Sequence, residues 1–563
     1  MSGPGLLRRR IPVALVALVA AGLAASVGAA TTSTAAPKPT TTNLQLLSFN
    51  DFHGQIEEPS GSSSRIDGVG AYGGAEYLAT HLAALRSGHS LTVAAGDLIG
   101  ASPLLSAAFH DEPAIEMMNT LGLDVSSVGN HEFDEGATEL LRMQTGGCLP
   151  DGDGLNNQNS CPIADHVFAG ASFNYLAANV VKESTGKTLL PATKIKSVAG
   201  QKVAFIGMTL EGTPSIVTPT GVAGLDFRDE VETANDLVPG LRAKGVESIV
   251  VLIHEGGSPS APGYNACPGV SGPILDIAAH LAPEIDAVIT GHTHAAYNCT
   301  LPDPDGQPRM VTSAASFGRV ITEMNLTIDN ETRDVIRDQS TATNHLVTRD
   351  VARDPAITSI RSAYNTIVAP IRDAVIGEAA ELLAKPLGAA QFSMGAVVAD
   401  AQLAATQAAE DGGAQIALMN PGGVRTEILT GEVTYGEAFN VQPFANVLTT
   451  VSLTGAQLKA VLEQQSSTLL LQPSTGFRFT FTASAAAGSR VSDITLNGAP
   501  LDPAATYRVT ANNFLTTGGD GFTAFTAGTD IRNGVIDLDA LVAYFGANSP
   551  VGVPADYPRI TIG

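Results

Sequence analysis

Five apolar runs in the first 290 residues of the chain each end in side chains that can bind metal. No other feature limits the fold as strongly. The runs lead into Asn50-Asp51-Phe52-His53-Gly54, Gly96-Asp97-Leu98, Gly129-Asn130-His131-Glu132-Phe133-Asp134, His254-Glu255-Gly256-Gly257 and Gly291-His292-Thr293-His294. Short apolar runs bounded by glycine and polar residues read as buried strands. Strands are expected at 44–49, 91–95, 125–128, 202–208, 247–253, 285–290 and 309–313. Helix-length stretches alternate with them, at 74–87, 103–109, 112–121, 134–143, 229–244 and 273–282. Such alternation predicts an α/β fold, and open α/β folds carry their chemistry beyond the carboxyl ends of the strands.

The ligand types then narrow the chemistry. Asp51 and His53 stand two apart on a segment read as extended, which places both on one face. His292 and His294 repeat that spacing. Asp97 follows a glycine that permits close backbone approach, and its two carboxylate oxygens can bridge two cations. Asn130 and His254 complete a set of seven candidate ligands. One Asp-x-His or one strand-end aspartate is ordinarily a turn residue; five coincident cases are not. Mixed His, Asp and Asn ligation suits zinc, manganese, iron or cobalt better than calcium. Seven ligands with one bridging carboxylate fit two metals about 3.5 Å apart. The remaining histidines, His81, His89, His110, His166, His280 and His345, have no such setting and read as surface or packing residues.

At 563 residues the chain is too long for one core. Residues 1–30 read as a secretory signal: Arg8 to Arg10, an apolar stretch from Ile11 to Val27, then Gly28-Ala29-Ala30. Residues 31–42 form a Thr/Pro-rich leader. No later segment is long and apolar enough to span a bilayer, so a secreted protein without a membrane anchor is expected. Two domains follow, 43–340 and 374–563, joined by a linker at 341–373 that contains a helix from Pro355 to Asp373. In the second domain a helix is expected from Met394 to Glu410, with strands at 415–419, 447–453, 477–482, 491–496 and 507–511. The net charge is −24, and removal of the signal deletes three arginines. Such a surface repels nucleic acid polymers and anionic membranes, so an anionic substrate must be met by metals and a few placed arginines. Four cysteines in an exported chain favour disulfides. Of the three possible pairings, Cys148–Cys161 with Cys267–Cys299 is favoured, because the second would brace the loops around the last two motifs.

The ordered set Asp51-x-His53, Gly96-Asp97, Gly129-Asn130-His131-Glu132, His254 and Gly291-His292-x-His294 resembles the calcineurin-like metallophosphatase superfamily. The longer forms around Asp51 and Asn130 resemble its secreted 5′-nucleotidase branch. The resemblance implies a metallophosphatase β-sandwich flanked by helices, joined by a helical linker to a smaller C-terminal α/β nucleotide-binding domain. It implies two divalent metals, with zinc, manganese or cobalt favoured. One would take Asp51, His53, Asp97 and His294, and the other Asp97, Asn130, His254 and His292. His131 and Asp134 fall on the catalytic pair. In the second domain the resemblance implies that Phe444 and Phe514 sandwich the base. Asn420 and Asn446 would bond the base, Asp520 the ribose hydroxyls and Arg425 the phosphate. Two departures stand out. His294 occupies a position where the family often has glutamine. The stretch Lys385 to Gly395 lacks an arginine that the family usually carries there, which weakens the case for tight binding of di- and triphosphates. The expected activity is hydrolysis of nucleoside 5′-monophosphates, with UDP-sugars and ADP or ATP as further substrates. The alternatives are a 2′,3′-cyclic-nucleotide phosphodiesterase/3′-nucleotidase and an inactive nucleotide-binding surface protein.

Overall fold

The computed structural model describes residues 39–151, 159–386 and 388–563. The signal expected at 1–30, and the leader as far as residue 38, lie outside the described residues. Two six-stranded sheets form the first half. One runs through Thr341–Leu346, Val320–Asp329, Thr41–Phe49, Ser90–Ala95, Val125–Ser127 and Asn174–Leu176. The other runs through Ala296–Pro302, Pro308–Ala314, Ala287–Thr290, Ser248–His254, Gln201–Thr209 and Thr193–Val198.

The alternation of side chains along each strand builds three layers of core. Leu44 and Leu46 face inward, into a cluster with Val93, Val250, Leu252 and Ile289 that fills the space between the sheets. Leu47 and Phe49 face outward, onto the helices Ala75–Leu85 and Glu112–Leu121. Ile249, Val251 and Ile253 face outward from the second sheet, against the helices Glu230–Arg242 and Pro273–His280. The result is the expected sandwich flanked by helices. Thr41–Phe49 pairs in parallel with Ser90–Ala95, which pairs in parallel with Val125–Ser127. Ser248–His254 lies parallel to Ala287–Thr290 in the other sheet. Parallel pairing puts the carboxyl ends of these strands, and the motifs that follow them, at one end of the sandwich.

One boundary differs from the sequence reading. Thr341–Leu346, expected in the linker, is the edge strand of the first sheet and pairs antiparallel with Val320–Asp329. Its polarity is that of an edge strand with one solvated face. The helix Pro355–Arg372 does follow, started by Asp354, whose side chain accepts from Ala356 N–H and Ile357 N–H. It is packed rather than free: Ile357, Tyr364 and Val368 are buried, and Tyr364 meets the Phe109 ring at 5.0 Å between centroids.

The second half is centred on a mixed sheet of Gln472–Pro473, Ile416–Met419, Thr506–Asn512, Val447–Thr454 and Thr529–Ile536. The Ala-rich helix Ser393–Thr406 is buried along most of its length. Both expected disulfides form, Cys148–Cys161 and Cys267–Cys299. Among the described residues no helix is long and apolar enough to cross a membrane.

Candidate metal and substrate site

The seven candidate ligands converge at the carboxyl end of the sandwich, but not by the backbone geometry expected from their spacing. Asp51 and His53 both sit at φ 50°, Asp97 at φ 50°, His292 at φ 70° and His294 at φ 55°. The segments are therefore left-handed rather than extended. Each such residue costs about 1–3 kcal/mol and persists only where neighbours enforce it. Here the first two loops are laced together: Asp51 N–H donates to Gly96 O at 3.1 Å and His53 N–H to Asp97 O at 2.9 Å. Glycine is obligatory at the closest approaches. A Cβ on Gly96 would lie 2.6 Å from Gly129 N, and one on Gly129 would lie 2.2 Å from Asp97 Oδ1.

Proton positions follow from partners that can only accept. His53 Nδ1 lies 2.8 Å from Gly100 O, so Nδ1 carries the proton and Nε2 presents a lone pair. That lone pair faces His294 Nε2 at 3.0 Å and Asp97 Oδ2 at 3.7 Å. His254 Nδ1 is likewise fixed by Ala95 O at 2.8 Å. Its Nε2 lies 2.9 Å from Asp97 Oδ2, yet the contact is not aligned as a hydrogen bond, and this buried nitrogen has no hydrogen-bond partner among the described residues. His294 Nε2 is 3.3 Å from Asp51 Oδ1, and His292 Nδ1 is 3.1 Å from Asn130 Oδ1. Several buried imidazole nitrogens and carboxylate oxygens thus converge on one small space, a donor set suited to a cation. The residues present therefore fit divalent metal.

Electrostatics agree with this reading. Burial raises the Asp97 carboxyl, but His254 and His131 outweigh it and hold Asp97 well below the usual carboxylate range. Burial holds the His53 imidazolium well down, and burial with His254 beside it pulls His292 to about 4. Both rings are neutral, as ligands must be. His254 goes the other way. Burial pulls it down, but Asp97 and Asp51 raise it to about 10. The protein demands positive charge between His254 and the two aspartates, and a divalent cation supplies it in place of a proton.

His131 stands outside the cage and faces the cavity. Its Nδ1 is 2.8 Å from Asp134 Oδ2. Burial lowers this imidazolium, yet Asp134 and Asp97 more than compensate and the net shift is upward. Asp134 does not start a helix: it closes the short turn His131–Phe133, and the helix begins at Ala137.

Two residues of the motifs, outside the expected ligand set, support the cage. Glu132 accepts from Asp97 N–H at 2.9 Å, Leu98 N–H at 2.8 Å and Gly129 N–H at 2.5 Å, so it ties two ligand loops together. Burial and the Asp97 charge raise its carboxyl to about 7. Asn50 donates to Asp51 Oδ2 at 2.5 Å and to Ala315 O at 2.6 Å. Both lie inside the motifs, but only the folded chain shows what they hold.

A cavity of about 380 Å³ adjoins the cage. From the first half it takes Asn130, His131, Asp134 and His292; from the second it takes Asn420, Arg425, Phe444, Asn446, Phe514 and Asp520. The Phe444 ring stacks on the His131 imidazole, at 5.7 Å between centroids and 20° between planes. Arg425 lies over the other partner of that stack, 5.8 Å from the Phe444 centroid. Asn420 Nδ2 donates to Asp520 Oδ2 at 2.8 Å, and Asn512 Nδ2 donates to Asn420 Oδ1 at 3.0 Å. The expected substrate residues thus share one cavity with His131 and Asp134. His110, read as a surface or packing histidine, lines it too.

A helix-flanked two-sheet sandwich with a His/Asp/Asn cage at its strand ends defines a metal-dependent phosphoester hydrolase. Residues 44–296 match the calcineurin-like phosphoesterase family, and residues 375–527 match the 5′-nucleotidase C-terminal domain family. The chain belongs to the two-domain family that combines them. Endonuclease YhcR of Bacillus subtilis is 33% identical over 89% of this chain, which spans 39% of that protein's length. Cell wall protein Lmo0130 of Listeria monocytogenes is 31% identical over 91% of this chain and 68% of its own. The crystal structure of a 5′-nucleotidase precursor from Thermus thermophilus superposes with a TM-score of 0.75. It is 27% identical and covers 92% of this chain and 99% of its own.

Proposed function

We propose that the chain is an exported 5′-nucleotidase that holds two divalent metals, with zinc, manganese or cobalt favoured. It converts nucleoside 5′-monophosphates to nucleoside and phosphate. One observation carries this reading: the cage, the His131–Asp134 pair and the aromatic and amide groups of the second half open into a single cavity. The likeness to a 5′-nucleotidase precursor supports it. Two disulfides and a relative named a cell wall protein support export.

The proposed ligand sets are Asp51, His53, Asp97 and His294 for one metal, and Asp97, Asn130, His254 and His292 for the other. When bound, the metals supply Lewis acidity toward the phosphoryl oxygens and acidify a water for in-line attack. Arg425 pairs with the phosphoryl group, a task suited to a planar fork of donors. His131 gives its proton to the leaving 5′ oxygen. Asp134, on the opposite ring nitrogen, fixes the tautomer and the ring plane. Phe444 and Phe514 present faces on which a base stacks with little regard to its identity. Asn420 and Asp520, already bonded to each other, lie poised for the base edge and the ribose hydroxyls.

A second reading is a phosphodiesterase that acts on 2′,3′-cyclic nucleotides or longer chains, since one relative is named an endonuclease. Product analysis with AMP, 3′-AMP and cyclic 2′,3′-AMP, which detects ring opening to the monoester as well as phosphate release, separates the two when cleavage of a single-stranded oligonucleotide is measured beside it. We expect AMP to be the best substrate. Turnover of the cyclic ester or the oligonucleotide with none of AMP would retire the nucleotidase reading.

A further inference from the structure

The cavity has a wall that the proposed chemistry does not use. His110, Glu135 and Glu139 line it on the side of the catalytic turn, and Glu135 follows Asp134 directly in the chain. His110 Nδ1 lies 2.6 Å from Glu135 Oε2, and its Nε2 lies 3.2 Å from Asp151 Oδ2. Both ring nitrogens face groups that only accept, so the ring is an imidazolium. Burial pulls it down, but Glu135 raises it to about 9. Glu139 is held by Arg142, at 2.6 Å from Nη2, and Arg142 Nη1 reaches Glu112 at 2.7 Å. Glu135, Glu139 and His110 line the cavity, with Asp151, Glu112 and Arg142 behind them, so four carboxylates surround two cations and the wall is negative overall.

Across the cavity, positive charge is scarce. Among the described residues, Arg425 is the one guanidinium in the lining. Lys385 is turned onto the Phe392 ring, 5.7 Å from its centroid, and burial together with Arg425 pushes its ammonium down to about 8. One phosphoryl group at the metal end meets the metals and Arg425. A second phosphate placed between the metal end and the aromatic end would find Arg425 already engaged and would face a wall whose one imidazolium, His110, is outnumbered by carboxylates. Like charges in a partly dehydrated cavity repel more strongly than in water, while the exposed edge at Glu135 leaves them open to screening.

We propose, on the nucleotidase reading above, that this wall selects substrates with a single phosphoryl group and an uncharged remainder, with Glu135 and His110 as the residues that set the selection. Nucleoside di- and triphosphates are rejected by the net negative field rather than by size. The test compares kcat/KM for AMP, ADP and ATP in the metal-loaded wild type, Glu135→Lys and His110→Gln. Glu135 is partly exposed, with 37% of its side chain accessible, so its charge reversal is compatible with folding. The wild type should favour AMP by roughly tenfold or more. Glu135→Lys should narrow the AMP-to-ADP ratio by about threefold or more, and His110→Gln should widen it. Added salt should narrow it in the wild type through screening. A mere loss of packing would move both variants in the same direction and overturn the proposal. So would wild-type turnover of ADP equal to that of AMP. No release from any of the three nucleotides would instead overturn the nucleotidase reading, and this inference with it.

Discussion

Replacing His131 with alanine is expected to lower kcat by about 10²-fold or more, the usual contribution of a positioned acid. That loss corresponds to about 2.7 kcal/mol of transition-state stabilisation. Bound metal should be retained, because His131 contacts Asp134 and the Phe444 ring while the cage is completed by other side chains. The pH profile adds a second readout. A proton donor works only while protonated, so kcat falls as pH rises through its pKa. Asp134 helps to hold His131 protonated against the pull of burial. Asp134→Asn should therefore move that fall to lower pH. An alanine variant with wild-type kcat would remove His131 from the mechanism.

A larger loss is expected from Asp97→Asn. Asp97 Oδ2 lies within 3.7 Å of His53 Nε2 and 2.9 Å of His254 Nε2, between the two halves of the cage. Its Oδ1 also accepts from His131 N–H at 2.9 Å, which ties the catalytic turn to the cage. An amide in its place can offer one oxygen to a cation but cannot bridge two, and it carries no charge. Lewis-acid contributions of several kcal/mol translate to about 10³-fold or more in rate. The variant should also lose metal on dialysis that the wild type keeps. A thermal melt separates this from unfolding, since removal of one buried negative charge leaves the sandwich core of Leu46, Val93 and Leu252 untouched. Asp97→Asn protein with unchanged metal content would contradict the ligand role proposed for Asp97.

Legibility is greatest where chemistry and strand pattern coincide. Asp51, His53, Asp97, Asn130, His254, His292 and His294 stand out because each follows a buried apolar run. Those runs have to be strands in a chain that alternates them with helices. The geometry behind their convergence is not legible. Spacing two apart suggests extended segments, whereas hydrogen bonds between loops distant in sequence hold the backbone left-handed. Glu132 is hidden for a related reason: its work is to accept three N–H groups from two loops, and no local pattern encodes that. Val320–Asp329 and Thr341–Leu346 escape a strand reading because edge and near-edge strands carry polar residues on one face. His110 gives no local signal because its partners, Glu135 and Asp151, lie 25 and 41 residues away.

On the function proposed above, this cage holds a pair of metal ions on which phosphoester hydrolysis depends. Elemental analysis of the full chain, stripped with chelator and reloaded with manganese or zinc, tests it most directly when phosphate release from AMP is followed in the same samples. About two ions per chain are expected at saturation, with no release from the stripped protein and recovery on reloading. Saturation at one ion or none, or full release with chelator present, would contradict it.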